Sequence, residues 1–178
     1  PMFLPLLNGG TLATLDVRSV GLEPLGPFLE SERITVAYMA PTVIRFCVDA
    51  FKPYTFTDLR LLALGGEVVD SEIVQLSHQL MTPTLMANGF GTTETGVITL
   101  YVIDPSEEFS GIVPAGYPVA DVELVIVDEA GREVQAGESG EVAVRTPYAF
   151  DGYWGYPELS SSVLSEVDGH PGWRLYRT

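Results

Sequence analysis

Short strand-like segments that alternate with helix-like segments are the feature that most constrains the fold of this chain. The predicted strands in the first hundred residues cover 10–15, 34–39, 61–64 and 84–87. Apolar residues recur at helical spacing over 22–32, over 41–50 and in a segment that Asp70 can cap. Because buried strands joined by helices form βαβ units, the pattern predicts an α/β fold with a flavodoxin-like parallel sheet.

The last third of the chain follows a different pattern, which begins near residues 104–108. Segments 122–128 and 140–145 alternate β-branched and polar residues on either side of a glycine-containing turn at 129–132. Such an arrangement is typical of an antiparallel hairpin. We therefore expect an α/β subdomain over residues 1–105, followed by a small antiparallel β-barrel-like subdomain over 106–178.

The charge balance narrows the classes of partner. The 178 residues include 24 acidic and 9 basic residues, a net charge of -15, which argues against nucleic-acid or membrane-surface binding. A small anionic ligand remains compatible with this charge, because backbone N–H groups can hold phosphate.

Cys47 is the only cysteine, so neither an internal disulfide nor a multi-cysteine metal site is possible. With no signal peptide or long apolar run, we expect a cytoplasmic protein.

Two glycine-containing segments follow predicted strands, at 65–67 and at 88–94. Ligands of open α/β sheets bind beyond the carboxyl ends of the strands, where such segments cluster. In the second segment, Phe90 offers a ring for stacking on a purine, and Asn88 an amide for its edge. Thr93 offers a hydroxyl for a phosphoryl oxygen, and Glu94 a carboxylate of the kind that Mg²⁺ prefers.

When only residue types and spacing are considered, a purely structural role explains each segment as well as ligand binding does. A Gly-Gly pair after a strand is commonly a tight turn. The second segment can be a loop that starts a helix, with Thr92 or Thr93 as N-cap and Glu94 in the first turn. Residue types and spacing alone leave these alternatives open.

The run Asn-Gly-Phe-Gly-Thr-Thr-Glu at 88–94 resembles the signature of the adenylate-forming superfamily. This superfamily includes acyl-CoA synthetases, luciferases and the adenylation domains of nonribosomal peptide synthetases. Four more segments resemble family segments in the same order: Leu-Ala-Leu-Gly-Gly-Glu at 62–67, Gly-Glu-Ser-Gly-Glu-Val at 137–142, Gly-Tyr-Trp with Pro-Glu-Leu at 152–159, and Tyr-Arg-Thr at 176–178. The resemblance covers nearly the whole chain.

The resemblance implies a role for each matching residue. It implies that Thr93 contacts the α-phosphate of ATP and that Glu94 ligates Mg²⁺, which makes them the expected catalytic residues. The residues expected along the adenine of ATP or AMP are Gly65, Gly66, Glu67, Asn88, Gly89, Phe90 and Gly91. The residues expected along the acyl pocket are Tyr38, Leu62, Leu64, Gly89, Val97 and Ile98. This wall carries no charge, so an apolar acid is expected, although ordinary strand core is the alternative for each of the six.

The implied activity is ATP-dependent activation of a small carboxylic acid as an acyl-adenylate. Tyr-Trp followed by Pro-Glu-Leu favours a peptide synthetase adenylation domain, with transfer to the phosphopantetheine of a carrier protein. Thr92, where peptide synthetases usually carry proline, permits a stand-alone acyl- or aryl-CoA ligase that uses CoA. A separated, non-catalytic substrate-binding module is the third hypothesis. Whether the substrate carries an α-amino group stays open.

Several parts of such an enzyme have no match in these residues. There is no phosphate loop ending in Pro-Lys-Gly, and Lys52, the only lysine, matches no family motif. The ribose-binding aspartate that follows Tyr-Arg-Thr and the lysine of the C-terminal subdomain are also missing. We therefore expect an internal fragment of the large N-terminal domain, inactive without the remainder of the adenylation domain and the lysine subdomain.

Overall fold

The computed structural model describes residues 3–104 and 106–178, which fold into two compact units. The first unit comprises Pro1–Asn88 and Val102–Val113, and the second comprises Gly89–Tyr101 and Pro114–Thr178. The chain therefore passes between the units three times. The expected boundary between residues 105 and 106 falls at Pro105, which lies outside the described residues, and that boundary stays a prediction.

Helices and strands alternate in the first unit, whereas the second is mainly β. The helices in the described part of the chain are α1 (Phe3–Leu7), α2 (Val17–Val20), α3 (Leu25–Ser31), α4 (Pro41–Phe46), α5 (Val48–Phe51), α6 (Ser71–Met81) and α7 (Pro157–Val163). The strands there are β1 (Val36–Met39), β2 (Leu61–Gly65), β3 (Leu85–Thr92), β4 (Gly96–Ile103), β5 (Tyr117–Pro118), β6 (Glu123–Val127), β7 (Glu141–Thr146), β8 (Leu164–Glu166) and β9 (Arg174–Arg177). None of these helices is long and apolar enough to cross a membrane.

The first sheet has the strand order β1-β2-β3-β4-β5. Strands β1 and β2 pair in parallel, whereas β4 and β5 pair antiparallel. The α/β class and the parallel pairing are thus confirmed. The strand expected at 10–15 is wrong, because these residues have no regular secondary structure. Alternating residues form a strand only where a neighbouring strand takes up the backbone hydrogen bonds.

Local sequence signals account for the helices of the first unit. Asp70 caps α6, since its Oδ1 accepts a hydrogen bond from the Ile73 N–H at 2.9 Å. One face of α6 is buried through Ile73, Ser77 and Met81. The predicted helix over 22–32 begins only after Pro24, and the predicted helix over 41–50 is divided into α4 and α5 at Cys47.

The second sheet has the order β6-β7-β9-β8, and its neighbouring strands pair antiparallel. Strand β6 pairs with β7 from Glu123 opposite Arg145 to Val127 opposite Glu141, which confirms the predicted hairpin strands. A core of Ile98, Val122 and Val144, with Val119 packed against it, lies within the second unit. The barrel-like closure of this sheet stays a prediction.

Candidate active site

The segment 88–94 is part of a β-hairpin and not a loop. Strand β3 continues to Thr92, a turn covers residues 93–95, and β4 begins at Gly96. The Thr92 and Thr95 hydroxyl oxygens lie 2.9 Å apart, and the Thr95 N–H donates to the Thr92 hydroxyl oxygen at 3.2 Å. The alternative of a loop that starts a helix, capped by Thr92 or Thr93, is wrong, because these hydrogen bonds close a turn between strands.

Gly91 lies where the two hairpin strands approach most closely. A Cβ on Gly91 would lie 2.2 Å from the Gly96 carbonyl oxygen and 3.0 Å from the Val97 Cα. The hairpin itself therefore requires a glycine at this position. The close approach of the two strands is thus a structural reason for a glycine at position 91. The expected contact of Gly91 with the nucleotide stays a prediction.

Glu94 lies in the turn, half-buried, with both its backbone and its side chain held. Its carbonyl oxygen accepts from the Phe150 N–H at 2.7 Å, and its Oε1 accepts from the Tyr153 hydroxyl at 2.7 Å. The Tyr153 hydrogen bond lowers the pKa of Glu94, and partial burial opposes this only in part. The Glu94 side chain is therefore a carboxylate anion at neutral pH, and its oxygens can serve as ligands to a cation.

Aromatic side chains surround this carboxylate within the second unit. The Phe150 ring packs edge-on against Tyr153 at 4.7 Å and against Tyr176 at 5.9 Å between ring centroids. The hydrogen bond to Glu94 raises the pKa of Tyr153, and burial raises the pKa of Tyr176. Both hydroxyls therefore stay protonated, and Tyr153 remains a donor to Glu94.

Tyr153 is itself fixed by the start of α7. The Tyr153 N–H donates to the Ser160 Oγ at 2.8 Å, and the Ser160 hydroxyl donates to the Tyr156 carbonyl at 2.8 Å. Gly152 has a φ of 135°, and a Cβ there would lie 2.9 Å from the Ser160 Oγ. The Gly-Tyr-Trp and Pro-Glu-Leu segment thus positions Tyr153. Sequence reasoning assigned Tyr153 and Ser160 no role, although Tyr153 lies in a segment singled out there.

The other residues expected along the nucleotide in segment 88–94 differ in exposure. Asn88 is 6% exposed, and its Nδ2 donates to the Val113 carbonyl at 3.4 Å within the first unit. In the second unit Phe90 is 37% exposed, Thr93 is exposed and Gly89 is half-buried. Phe90 and Thr93 can therefore meet a ligand directly, whereas the Asn88 amide already binds backbone.

The turn after β2 is tied to α4 in the first unit. Gly65 is buried at the end of β2, and Gly66 has a φ of 81° with open space around its Cα. Glu67 Oε2 accepts from the Thr42 N–H at 3.0 Å and from the Thr42 hydroxyl at 2.5 Å. The Glu67 side chain thus anchors the turn to α4, and its expected place along the adenine stays a prediction.

The first-unit residues expected along the acyl pocket lie on two faces of the β1–β2 pair. Tyr38 is opposite Ala63 in the register and is 54% exposed. Leu62 and Leu64, on the other face, are fully buried. Because successive side chains of a strand point to opposite faces, one pocket wall cannot contain all three. Leu62 and Leu64 match the alternative of ordinary strand core.

The same division appears on β4 in the second unit. Val97 is 54% exposed, whereas its neighbour Ile98 is fully buried against Val122 and Val144. Ile98 therefore also occupies a core position, and Val97 and Gly89 are the members of the expected pocket in this unit that a ligand can reach.

Alanine substitution distinguishes core from pocket positions. Leu62→Ala is expected to lower the free energy of unfolding by about 2–5 kcal/mol, because it leaves a cavity in a closed core. Tyr38→Ala is expected to cost less than about 1 kcal/mol, since the ring is half-exposed. Urea denaturation followed by circular dichroism measures both. A small loss for Leu62→Ala would contradict the core assignment.

Glu94 fits a metal site that is completed by the ligand. Within residues 3–104 and 106–178, no group of three His, Cys, Asp or Glu side chains is placed to hold a metal ion. Mg²⁺ is commonly held by one or two carboxylates together with substrate phosphates and water. Glu94, an ionised carboxylate held in one orientation in the turn, can be the carboxylate that the protein supplies to such a site.

Comparison with known proteins identifies the family. The family described as AMP-binding enzyme matches residues 1–154. The chain belongs to the AMP-binding enzymes. The resemblance to the adenylate-forming superfamily is thereby confirmed.

Relatives and solved structures agree with this membership. The nonribosomal peptide synthetase agiA of Aspergillus flavus is 30% identical over 179 residues, covering 99% of this chain and 2% of that protein. The D-alanine–D-alanyl carrier protein ligase of Bacillus mycoides is 29% identical over 182 residues, covering 97% of this chain. The chain spans only 35% of that ligase's length.

The fold is shared with a solved adenylation domain. The AlmE adenylation domain of Vibrio cholerae, in complex with glycyl-adenosine-5'-phosphate, superposes with a TM-score of 0.70 at 21% identity. The match covers 90% of this chain and 31% of that one. At this identity the likeness establishes the fold alone.

Proposed function

We propose that the protein carrying this chain is a peptide synthetase adenylation enzyme. It activates a small carboxylic acid with ATP as an acyl-adenylate and passes the acyl group to the phosphopantetheine thiol of a carrier protein. The observation that carries the proposal is the Glu94 carboxylate, which accepts a hydrogen bond from the Tyr153 hydroxyl in the hairpin turn of an AMP-binding family member. The two relatives, a peptide synthetase and a carrier protein ligase, support the reaction class and the carrier as acceptor.

In the proposed reaction, a carboxylate oxygen of the substrate attacks the α-phosphorus of ATP, and pyrophosphate leaves. Mg²⁺, when bound, supplies positive charge that offsets the phosphate charge. Glu94 would hold it, and the exposed Thr93 hydroxyl would donate to an α-phosphate oxygen. No protein nucleophile is required, so the chain contributes positioning and charge neutralisation.

We propose nucleotide contacts for the remaining residues of both segments. Phe90 stacks on the adenine, since part of its ring is exposed. The other proposed contacts with the adenine come from Gly65, Gly66, Glu67, Asn88, Gly89 and Gly91. For Glu67 and Asn88 the backbone is the better candidate, because both side chains already hold protein hydrogen bonds.

The acyl group is proposed to be apolar. Among the residues proposed to contact the acyl group, Tyr38 of the first unit and Gly89 and Val97 of the second have accessible surface, and none carries a charge. A charged substrate side chain would be left unpaired there, at a cost of several kcal/mol. Hydrophobic amino acids and aryl, keto or hydroxy acids are therefore the proposed substrates.

Substrate-dependent exchange of labelled pyrophosphate into ATP tests the proposal. With the full-length protein and Mg²⁺, we expect exchange with apolar acids and little with Asp, Glu or Lys. The polypeptide of residues 1–178 alone is expected to be inactive. Loading of a phosphopantetheinylated carrier protein, compared with free CoA, then separates a synthetase from a stand-alone ligase. Absence of exchange with every acid would overturn the proposal.

A further inference from the structure

We infer that Tyr153 is a positioning residue for the metal-binding carboxylate: its hydroxyl fixes Glu94 in the orientation that receives the cation. This inference rests on the proposed function. It assigns the Gly-Tyr-Trp segment a task in metal binding that acts through Glu94, without contact between Tyr153 and the nucleotide.

Glu94 lies in a three-residue turn between β3 and β4, and its half-buried side chain has several rotatable bonds. The hydroxyl that holds Oε1 at 2.7 Å comes from a residue 59 positions later in the chain. The Phe150 N–H holds the carbonyl of the same residue. Backbone and side chain are thus fixed from one segment, residues 150–153.

Tyr153 is held independently of Glu94. Its ring packs against Phe150, and its backbone N–H binds the Ser160 Oγ. A donor fixed in this way orients a carboxylate before any metal arrives. Partners that orient a metal ligand are commonly worth about 10–100-fold in metal affinity.

The electrostatics of the pair favour the same role. The Tyr153 hydroxyl donates to the Glu94 Oε1 at 2.7 Å and carries no charge of its own. A neutral hydroxyl donor stabilises the carboxylate without adding a positive charge that would repel Mg²⁺. An arginine or lysine at this position would repel the metal.

Tyr153→Phe in the full-length protein tests the inference. Binding of Mn²⁺ in the presence of ATP, followed by electron paramagnetic resonance of the free ion, is expected to weaken about 10–100-fold. The Mg²⁺ concentration for half-maximal pyrophosphate exchange should rise in parallel, and saturating Mg²⁺ should restore most of the rate. Ser160→Ala is expected to shift both values in the same direction, by a smaller factor.

Tyr148→Phe is the matched control. The Tyr148 hydroxyl also donates to a carboxylate in the second unit, that of Asp121, at 2.9 Å. This variant loses an equivalent hydrogen bond and should bind Mn²⁺ as the wild type does.

Other results would contradict either the positioning role of Tyr153 or the proposed function itself. Wild-type Mn²⁺ affinity in Tyr153→Phe, or a lowered thermal midpoint with unchanged Mn²⁺ affinity, would overturn the positioning role and leave the proposed function standing. If the wild-type protein shows neither Mn²⁺·ATP binding nor exchange, the proposed function fails, and the inference fails with it.

Discussion

Replacing Glu94 by alanine in the full-length protein is expected to slow pyrophosphate exchange by about two to three orders of magnitude. The metal's charge on the phosphates is worth several kcal/mol of transition-state stabilisation, and each 1.4 kcal/mol is about tenfold in rate. Exchange measured over a range of Mg²⁺ concentrations checks the expectation. The loss should persist at saturating Mg²⁺, because the protein's oxygen ligand is absent and not merely misoriented.

Two control variants separate the charge of Glu94 from its place in the fold. Glu94→Gln keeps an oxygen acceptor for Tyr153 but removes the charge, so it should be nearly as slow as the alanine variant. Glu158→Ala removes an exposed carboxylate from the first turn of α7 and should exchange at the wild-type rate. Circular dichroism should show all three variants folded. Near-normal exchange by Glu94→Ala would remove the metal role.

Gly91→Ala is expected to destabilise the second unit by about 3 kcal/mol or more. The added methyl would lie 2.2 Å from the Gly96 carbonyl oxygen, and backbone atoms cannot move aside as the end of a side chain can. The hairpin has to open, which disturbs β3 and β4. A shift of about 12–24 °C in the thermal midpoint corresponds to this loss for a unit of this size.

Gly96→Ala is the control within the same hairpin. Gly96 has a φ of 72° but open space where its Cβ would lie, so alanine should cost only about 1–2 kcal/mol of backbone strain. A contrary result would be a Gly91→Ala variant that is as stable as Gly96→Ala and loses only nucleotide binding. The glycine at position 91 would then be required by the ligand and not by the hairpin.

Local patterns predicted several of the elements that the structure contains. The strand at 61–64 and the helix after Asp70 appear as β2 and α6, because apolar spacing and an N-cap act within a few residues. The strand at 10–15 was wrong because alternation carries no information about a pairing partner. The helix start considered for segment 88–94 was wrong because threonines that can cap a helix also suit a hairpin turn.

By itself the sequence determined the family and the chemistry that its residues can support. Five segments resemble family segments in the same order, and this order can be seen without a structure. Only the tertiary structure decided which side chains act together. Strand pairing put Leu62 and Leu64 on the buried face of the β1–β2 pair and Tyr38 on the other face. Folding also brought the Tyr153 hydroxyl to Glu94 across 59 positions of chain. Both depend on contacts between segments that are distant in the sequence, which no local spacing encodes.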